Sequence, residues 1–489
     1  MCLDIVDDSR TNLIGLAISL APRGREVWWE ETRRLIEPPT NSSELMTTLT
    51  ALTEELTKKR REEFLNRIRG GAAIFPSAPV ALRNGDVDHD YRQDTDFYYL
   101  TGFEEPGAVA VLVPDHPEHR FALFVQPKDR DREVWTGVRA GEVGAVHDYG
   151  ADVAFTSDKL DPELANLVQG ADRLYYRFGS DLRFDQRIIG LLKRFGRERQ
   201  RNGVGPNAVI DPAEMLHEMR LIKTEADLDF LRRAIDITCE GHRAAIRAIK
   251  PGAFEYEIEA ALSYVFRKSG SPRHGYPPIV ASGSNATVLH YTANRRRLCA
   301  SDLVLIDAGA EYGYYTGDVT RTLPASGKFD PEQRNVYDLV LEAQIEAIEE
   351  VKPGVPFIEP HNRAVKVLTE GLVRLGLLEG DIDELIKEEK YKEFYMHRTS
   401  HWLGMDVHDA GPYKVGDEWR GLEPGMVLTI EPGLYIREDA GNVDPRYRGI
   451  GVRIEDDILV TPDGCEILSA GVPKNVCEIE ELMRDGTAA

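Results

Sequence analysis

Three short apolar segments in the second half of this 489-residue chain each run into a carboxylate. Residues 303–306 (Leu-Val-Leu-Ile) precede Asp307, and residues 426–430 (Met-Val-Leu-Thr-Ile) precede Glu431. At residues 450–454 every second residue is apolar, and Glu455 follows. Runs of this length predict buried strands. Because an unpaired charge is costly to bury, we expect each carboxylate to have a cationic side chain or a metal ion as its partner.

A fourth carboxylate strengthens the metal alternative. Asp318 lies eleven residues after Asp307, and Tyr312-Gly313 supplies a turn between them, so a hairpin could bring both acids together. Two close carboxylates repel each other unless they share a proton or a metal bridges them. The alternation near 450 also places Arg453 and Glu455 on one face of a strand. One or two acids could form ion pairs, but four together favour metal ligation.

Histidines complete the candidate site. Residues 397–409 contain His397, His401 and His408, and His290 lies in Val-Leu-His-Tyr at 288–291. A lone histidine near apolar residues is more often a core residue than a ligand, but this cluster favours a functional interpretation. One histidine with four carboxylates is an oxygen-rich set of ligands. Such a set is better suited to Mn²⁺, Mg²⁺ or Co²⁺, whereas zinc sites are often rich in cysteine. Shared carboxylates indicate two ions about 3.5–4 Å apart that activate water for hydrolysis.

Local patterns divide the chain into an extension (residues 1–45), an α/β domain (46–211) and a second domain (212–489). A helix is predicted from Ser43, followed by strands at Val109–Val113 and Phe121–Val125. The second domain contains an internal repeat, in which two helices end at Lys-Pro-Gly, residues 250–252 and 352–354. Each is followed by a second helix and then by strands bearing carboxylates or histidines. We therefore expect two similar halves with the chemistry between them.

Composition limits the partners and the location. The net charge is −23, which disfavours nonspecific binding to nucleic acid or to an anionic membrane. The longest early apolar run, residues 13–21, is too short to span a bilayer and follows an acidic start. Five scattered cysteines without a CxxC pair fit a reducing compartment. We expect a cytoplasmic protein with neither nucleic acid nor membrane as its partner.

Four longer motifs resemble the pita-bread metallopeptidase family, which includes methionine aminopeptidase, prolidase and aminopeptidase P. They are the Asp307/Asp318 pair, HRTSHWLGMDVHD at 397–409, EPGMVLTIEPGLYI at 423–436 and YRGIGVRIEDDILVT at 447–461. The Ser-His-Trp-Leu-Gly form is most similar to aminopeptidase P, and Asp90–Phe103 resembles the N-terminal domain of proline peptidases. The resemblance covers residue 55 to the C-terminus. It implies an N-terminal α/β domain followed by a C-terminal pita-bread catalytic domain.

The resemblance also implies a metal site and a reaction. The positions that match the family's ligands are Asp307, Asp318, His401, Glu431 and Glu455. It implies that Asp318 and Glu455 bridge two divalent ions, expected to be Mn²⁺, and that a bridging hydroxide attacks the first peptide bond of substrates with proline at the second position. Glu431 is expected to help as general base.

Further residues match family positions around the metals. Catalytic roles are implied for His290, His397 and His408, which would position substrate and move protons, and for Arg453. Tyr435 matches a substrate-binding residue near the proline pocket, and Trp135 matches a tryptophan that reaches the site of a neighbouring subunit. The resemblance therefore predicts a homodimer or homotetramer.

Three alternatives differ in substrate or in class. Prolidase, which cleaves Xaa-Pro dipeptides, would use the same five ligands and differ in how it recognises the end of the substrate. Methionine aminopeptidase lacks the N-terminal domain. A catalytically inactive peptide-binding module on the same fold would be expected to have lost ligands, and each ligand position here holds a matching residue.

Overall fold

The computed structural model describes residues 42–487, so the predicted extension at 1–45 lies almost entirely outside the described residues. The first helix, α1 (Ser42–Arg67), begins one residue before the predicted start. The strands that follow are β1 (Gly71–Pro76), the hairpin β2 (Leu82–Asn84) and β3 (Val87–Asp88), β4 (Val109–Leu112), β5 (Phe121–Val125), β6 (Val153–Thr156), β7 (Arg173–Tyr175) and β8 (Val209–Ile210). The helices among them are α2 (Thr95–Thr101), α3 (Arg130–Thr136), α4 (Gly141–His147), α5 (Leu160–Val168) and α6 (Leu182–Asn202).

Six of these strands form one mixed sheet in the order β6-β5-β4-β1-β7-β8. The central strand β1 pairs antiparallel with β4 and parallel with β7. Its side chains alternate between two cores: Ala73 and Phe75 pack with the aromatic residues of α2, whereas Ala72 and Ile74 pack with α5 and α6. The strands predicted at Val109–Val113 and Phe121–Val125 are confirmed as the neighbours β4 and β5.

The second domain contains the remaining elements. Its helices are α7 (Ala213–Leu221), α8 (Glu225–Ala248), α9 (Glu255–Lys268), α10 (Pro331–Glu349), α11 (Glu359–Arg374), α12 (Ile382–Lys387) and α13 (Val476–Thr487). Its first strands are β9 (Arg273–His274), β10 (Ile279–Ser282), β11 (Leu303–Ala308), β12 (Ala310–Tyr312), β13 (Tyr315–Thr316) and β14 (Val319–Pro324). The later ones are β15 (Lys414–Val415), β16 (Glu418–Trp419), β17 (Val427–Ile430), β18 (Gly433–Ile436), β19 (Ile450–Arg453), β20 (Asp456–Thr461) and β21 (Gly464–Ile467).

The expected internal repeat is present as two helix pairs, each leading to a three-stranded sheet. The first half contains α8, α9 and the sheet β10-β11-β14, and the second contains α10, α11 and the sheet β17-β20-β21. Both long helices begin with a reciprocal capping box, Thr224 with Asp227 and Asp330 with Gln333. These caps satisfy backbone N–H groups at the helix starts, which is why the two sequences begin helices there. The α/β domain followed by a pita-bread domain is confirmed.

The two halves meet along a seam of backbone and side-chain contacts. Thr320, from β14 of the first half, pairs with Glu455, which lies between β19 and β20 of the second. Arg321 is fully buried beside them and donates to the carbonyls of Thr320 at 2.9 Å and Glu455 at 2.6 Å. Ile454 interrupts the predicted continuous strand, because β19 pairs with β18 whereas β20 pairs with β17. The interruption turns Glu455 towards the first half.

Two expectations concern the environment of the protein. Over residues 42–487, none of the helices combines the length and apolar composition needed to cross a membrane. The four cysteines within the described residues are free.

Candidate active site

The carboxylates predicted at strand ends lie at the seam. Asp307 is on β11 and opposite Thr320 of β14, and Asp318 directly precedes β14. The chain between them folds tightly at Gly309, where an added Cβ would lie 1.7 Å from the carbonyl oxygen of Gly317. Only a residue without a side chain permits this approach. The predicted hairpin therefore brings the two acids of the first half together.

Residues from both halves form a potential metal site. Ligand atoms of Asp318, His401 and Glu455 all lie within 4.8 Å of one another. His401 Nε2 is 3.3 Å from Asp318 Oδ2 and 3.7 Å from Oε1 of Glu431, which directly follows β17. The other ring nitrogen, Nδ1, lies 3.0 Å from the carbonyl oxygen of Trp402. A proton on Nδ1 would be donated to this carbonyl and would leave Nε2 free as a ligand atom.

Asp307 lies at the other end of this cluster. Arg453 Nη2 donates to Asp307 Oδ2 at 2.5 Å, and the hydroxyl of Tyr276 lies 2.6 Å from Asp307 Oδ1. The same hydroxyl is 2.5 Å from Asp318 Oδ1. A phenol has one proton and therefore cannot donate to both carboxylates at once. The carboxylate oxygens of Asp307 and Asp318 are therefore close together without enough hydrogen-bond donors to offset their repulsion.

Burial and mutual repulsion shift the protonation of this cluster. Burial raises the pKa of Glu431 to about 7 against the attraction of His401 and Arg453. Burial and the nearby Asp318 hold the pKa of Glu455 well above its usual range. The pKa of His401 rises to about 9, because the hydrogen bond and charge of Asp318 outweigh the effect of burial. Raised carboxyl pKa values indicate too little positive charge around these oxygens.

This environment fits divalent cations. We use the name carboxylate cluster for Asp307, Asp318, His401, Glu431 and Glu455. Four carboxylates and one imidazole are hard donors suited to Mn²⁺ or related ions. An added cation would also relieve the repulsion described above.

His397 lies beside the cluster and belongs to a separate hydrogen-bonded group. Its Nε2 is 2.7 Å from the hydroxyl of Tyr435, and Arg453 Nη1 donates to that hydroxyl at 3.0 Å. Its Nδ1 lies 2.8 Å from the carbonyl oxygen of Arg398 and 3.7 Å from Oε2 of Glu431. Burial and the charge of Arg453 lower the pKa of His397 to about 3, so the ring is neutral. A neutral ring that donates from Nδ1 accepts the Tyr435 hydroxyl proton at Nε2.

The other two histidines lie on loops at the mouth of the site. The His408 ring is 4.4 Å from the His401 ring, centre to centre and nearly perpendicular to it. Burial, the charge of His401 and then that of His290 lower the pKa of His408. His290 is exposed and is also among the groups that lower the pKa of His397. The structure therefore brings all four candidate histidines to one region.

Trp135 is the one candidate that the structure leaves apart. It lies on α3 in the N-terminal domain with 87% of its surface exposed. Its neighbours Val134 and Val138 are 82% and 85% exposed, so this part of the domain presents an apolar surface.

Several residues of the site were not predicted from the sequence. Tyr276 lies 31 residues before Asp307 and is followed by two prolines, so no local pattern connects it to the acids. Thr320 donates to Glu455 Oε2 at 2.5 Å, and Asp457 Oδ2 accepts from the backbone N–H of Asp318 at 3.1 Å. The acidic run at 455–457 could have indicated Asp457, because a third buried carboxylate on a strand also needs a partner.

Comparison with known proteins agrees with this geometry. Residues 229–462 match the description Metallopeptidase family M24, and residues 57–175 match Aminopeptidase P, N-terminal domain. The chain is 42% identical to the Xaa-Pro aminopeptidase of Escherichia coli over 428 residues, which are 87% of this chain and 97% of that protein.

Solved structures give the same result. Aminopeptidase PepP of Pseudomonas aeruginosa superposes with a TM-score of 0.87 at 48% identity, covering 89% of this chain and 99% of that one. Aminopeptidase P from E. coli with the inhibitor Pro-Leu superposes with a TM-score of 0.85 at 42% identity, covering 89% and 99%. Each similarity extends over both domains.

Proposed function

Because the chain belongs to metallopeptidase family M24, we propose that it is an Xaa-Pro aminopeptidase, which hydrolyses the first peptide bond of substrates with proline at the second position. The observation that carries the proposal is the meeting of Asp318, His401 and Glu455 at the seam of the two halves. The relatives above that carry this name match both domains of the chain. Intact ligand positions disfavour an inactive binding module.

The carboxylate cluster is proposed to hold two divalent ions, preferably Mn²⁺. Asp318 and Glu455 would be shared between the ions, His401 and Glu431 would complete one of them, and Asp307 would serve the other. Bound divalent ions supply Lewis acidity and lower the pKa of bound water. The donor set supports this assignment because it is rich in carboxylate oxygens and short of cationic side chains.

The surrounding residues would handle protons and hold the substrate. Glu431 would act as general base, and its Oε2 lies 3.7 Å from Nδ1 of His397. The neutral His397 and the hydroxyl of Tyr435 form one hydrogen-bonded pair, which Arg453 orients. This pair would bind the substrate near its proline. His290 and His408 would bind the substrate backbone at the mouth of the site.

Proline selection has a physical basis in the substrate. The proline ring fixes φ and removes the amide hydrogen, so its tertiary amide has a shape that a pocket can distinguish from that of other residues. An aminopeptidase leaves the side beyond proline open, and a longer peptide gains contacts there. A dipeptidase instead has to bind the proline carboxylate with a positive group. The two activities therefore differ in their response to chain length.

The test compares matched peptides on Mn²⁺-reconstituted protein. We expect kcat/KM for Xaa-Pro-Yaa to exceed that for the corresponding Xaa-Pro dipeptide, and Xaa-Ala-Yaa to be cleaved poorly. A clear preference for the dipeptide would assign the protein to prolidases. Equal cleavage of the alanine peptide would overturn proline specificity, and no cleavage of any peptide by metal-loaded protein would overturn the peptidase proposal.

We further propose a cytoplasmic homodimer or homotetramer with a domain boundary at Asp211-Pro212. The exposed Trp135 and its apolar neighbours support contact with a second subunit, because apolar surface of this kind is favourable to bury. Asp211 and Pro212 connect β8 to α7, and this break between regular elements supports the proposed boundary. Light scattering on Trp135→Ala and wild-type protein tests the oligomer, and a monomeric wild type would contradict it.

A further inference from the structure

The N-terminal domain reaches the loop that carries His408. We call residues 404–409 the histidine loop. Thr95, at the start of α2, donates from Oγ1 to Asp406 Oδ1 at 2.7 Å. Arg92 Nη2 donates to the carbonyl of Met405 at 2.8 Å, and its Nη1 donates to Thr95 Oγ1 at 2.9 Å. The motif at residues 90–103 is therefore in direct contact with the catalytic domain.

A second basic residue joins both carboxylates of the loop to the same motif. Arg220, on α7, has a side chain only 4% exposed. It donates to Asp96 Oδ1 at 2.7 Å, to Asp406 Oδ2 at 2.6 Å and to Asp409 Oδ1 at 2.6 Å. Lys223 adds a bond of 3.0 Å to Asp409 Oδ2. We name Arg92, Thr95, Asp96, Arg220 and Lys223 the loop clamp.

The charges within the loop clamp are balanced. Burial alone would raise the pKa of Asp409, but Lys223 and Arg220 outweigh it and hold the pKa below its usual value. The pKa of Asp96 is held well below its usual range in the same way, because a hydrogen bond from His217 and the charge of Arg220 outweigh burial. These carboxylates are ionised and paired, so the clamp needs no added cation. The paired charges therefore stabilise the conformation of the histidine loop.

The conformation of the histidine loop determines the position of His408. This residue lies between the two clamped positions, Asp406 and Asp409, and its ring packs against His401. The loop has little room to move, because a Cβ added at Gly404 would lie 2.1 Å from Asp409 Oδ2. A displacement of about 1 Å in a catalytic group can cost roughly 100-fold in rate. Loss of the clamp would therefore reduce turnover.

We propose that Thr95, Asp96 and Arg220 are positioning residues that fix His408 against His401, which gives the N-terminal domain a part in catalysis within its own subunit. This inference rests on the proposed peptidase function. Thr95 is the sharpest position to test, because valine has nearly the same shape and lacks the hydroxyl that bonds to Asp406. Serine keeps that hydroxyl and serves as the conservative variant.

Thr95→Val is expected to lower kcat on Xaa-Pro-Yaa about tenfold while KM changes less than about twofold. Thr95→Ser should restore most of kcat. Metal content should stay at the wild-type value in both variants, because Thr95 contacts no residue of the carboxylate cluster. Wild-type kcat in Thr95→Val, or a tenfold loss that Thr95→Ser fails to restore, would overturn the positioning role.

Arg60→Met is the matched control. Arg60 is also a buried guanidinium between the domains, and it pairs with Asp227 of α8 and with the hydroxyl of Tyr315 instead of the histidine loop. Arg60→Met is expected to lower the unfolding midpoint while it keeps kcat. If Arg60→Met reduced kcat as much as Thr95→Val did, general domain packing would explain both effects and the proposal would fail.

Hydrogen–deuterium exchange separates this proposal from the peptidase assignment. Amides of residues 404–409 should exchange faster in Thr95→Val and Arg220→Lys than in wild type, and at the wild-type rate in Arg60→Met. This measurement needs no substrate. If the wild type had no peptidase activity but the amides still exchanged faster in Thr95→Val and Arg220→Lys, only the peptidase function would be refuted. Unchanged exchange in both clamp variants would refute the clamp, whatever the activity.

Discussion

Buried carboxylates occur both in the carboxylate cluster, which includes His401, and where the loop clamp binds the histidine loop, residues 404–409. Where the loop clamp binds the histidine loop, arginine and lysine side chains pair with the carboxylates, and the pKa values of Asp96 and Asp409 are lowered. In the carboxylate cluster, burial and repulsion raise the pKa values of Glu431 and Glu455. Arginine and lysine side chains balance the acids between the loop clamp and the histidine loop, whereas the carboxylate cluster has too few cationic side chains to balance its acids. Paired acids and crowded acids therefore differ in the direction of their pKa shift at these two places.

Removal of a shared ligand tests the cluster side of this comparison most severely. Glu455→Ala should reduce kcat/KM roughly 100-fold or more and lower the metal content, because Glu455 would serve both ions. Elemental analysis and peptide hydrolysis measure the two effects. Near-normal turnover with two metals per subunit would show that Glu455 is not a ligand.

The two adjacent histidines separate ligation from positioning. His401→Ala should lose metal together with activity. His408→Ala should keep its metal and lose about 100-fold in kcat, since its ring contacts His401 instead of the cluster oxygens. Metal loss in His408→Ala would place that ring among the ligands and would erase the distinction between the two loop positions.

Removing the charge of one acid should destabilise the protein at the histidine loop but not in the carboxylate cluster. Asp409→Asn removes a charge that Arg220 and Lys223 require, and it should lower the unfolding free energy by about 3–5 kcal/mol. In metal-free protein, Glu455→Gln should not destabilise, because it relieves repulsion from Asp318. Urea denaturation of both variants measures this contrast.

An exposed pair provides the control for this measurement. Asp439→Asn, next to the exposed Arg437, should leave the denaturation midpoint unchanged. If Asp409→Asn also left the denaturation midpoint unchanged, the loop clamp would contribute nothing to stability.

The smallest expected effect is a pH dependence of the clamp. The folded-state pKa of Asp96 is lowered, so its contribution to stability is present above the unfolded-state pKa, near 4, and is lost as the pH falls towards the folded-state value. The destabilisation caused by Asp96→Asn should therefore shrink by about 1–2 kcal/mol between pH 6 and pH 3. A difference from wild type that stays constant over this range would show that Asp96 is not preferentially ionised in the folded protein.

The carboxylate cluster was largely predictable because its residues end recognisable strands. Asp307 and Glu431 each follow an apolar run, so the sequence alone indicates a buried acid. The capped helices of the two halves were predictable for a similar reason, since the cap residues and the Lys-Pro-Gly endings lie close to the helices that they bound. The assignment of individual ligands from the sequence stays a prediction until metal is measured.

The loop clamp could not be predicted in this way. Arg220 joins Asp96, 124 residues before it, to Asp409, 189 residues after it, and no periodic pattern extends over such distances. Tyr276 was missed because its contacts depend on how β9 and β10 place the chain between them. Contacts of this kind follow from the tertiary structure, and a single sequence contains no local signal for them.

The seam between the two halves bears on how the catalytic domain unfolds. Arg321 binds carbonyl groups from both halves and pairs with the fully buried Asp456. Opening one half alone would leave this guanidinium or its partners buried without compensation. Partial unfolding is therefore nearly as costly as complete unfolding, and the two halves should melt as one cooperative unit despite their internal repeat. Neither half produced separately would keep its carboxylates in register.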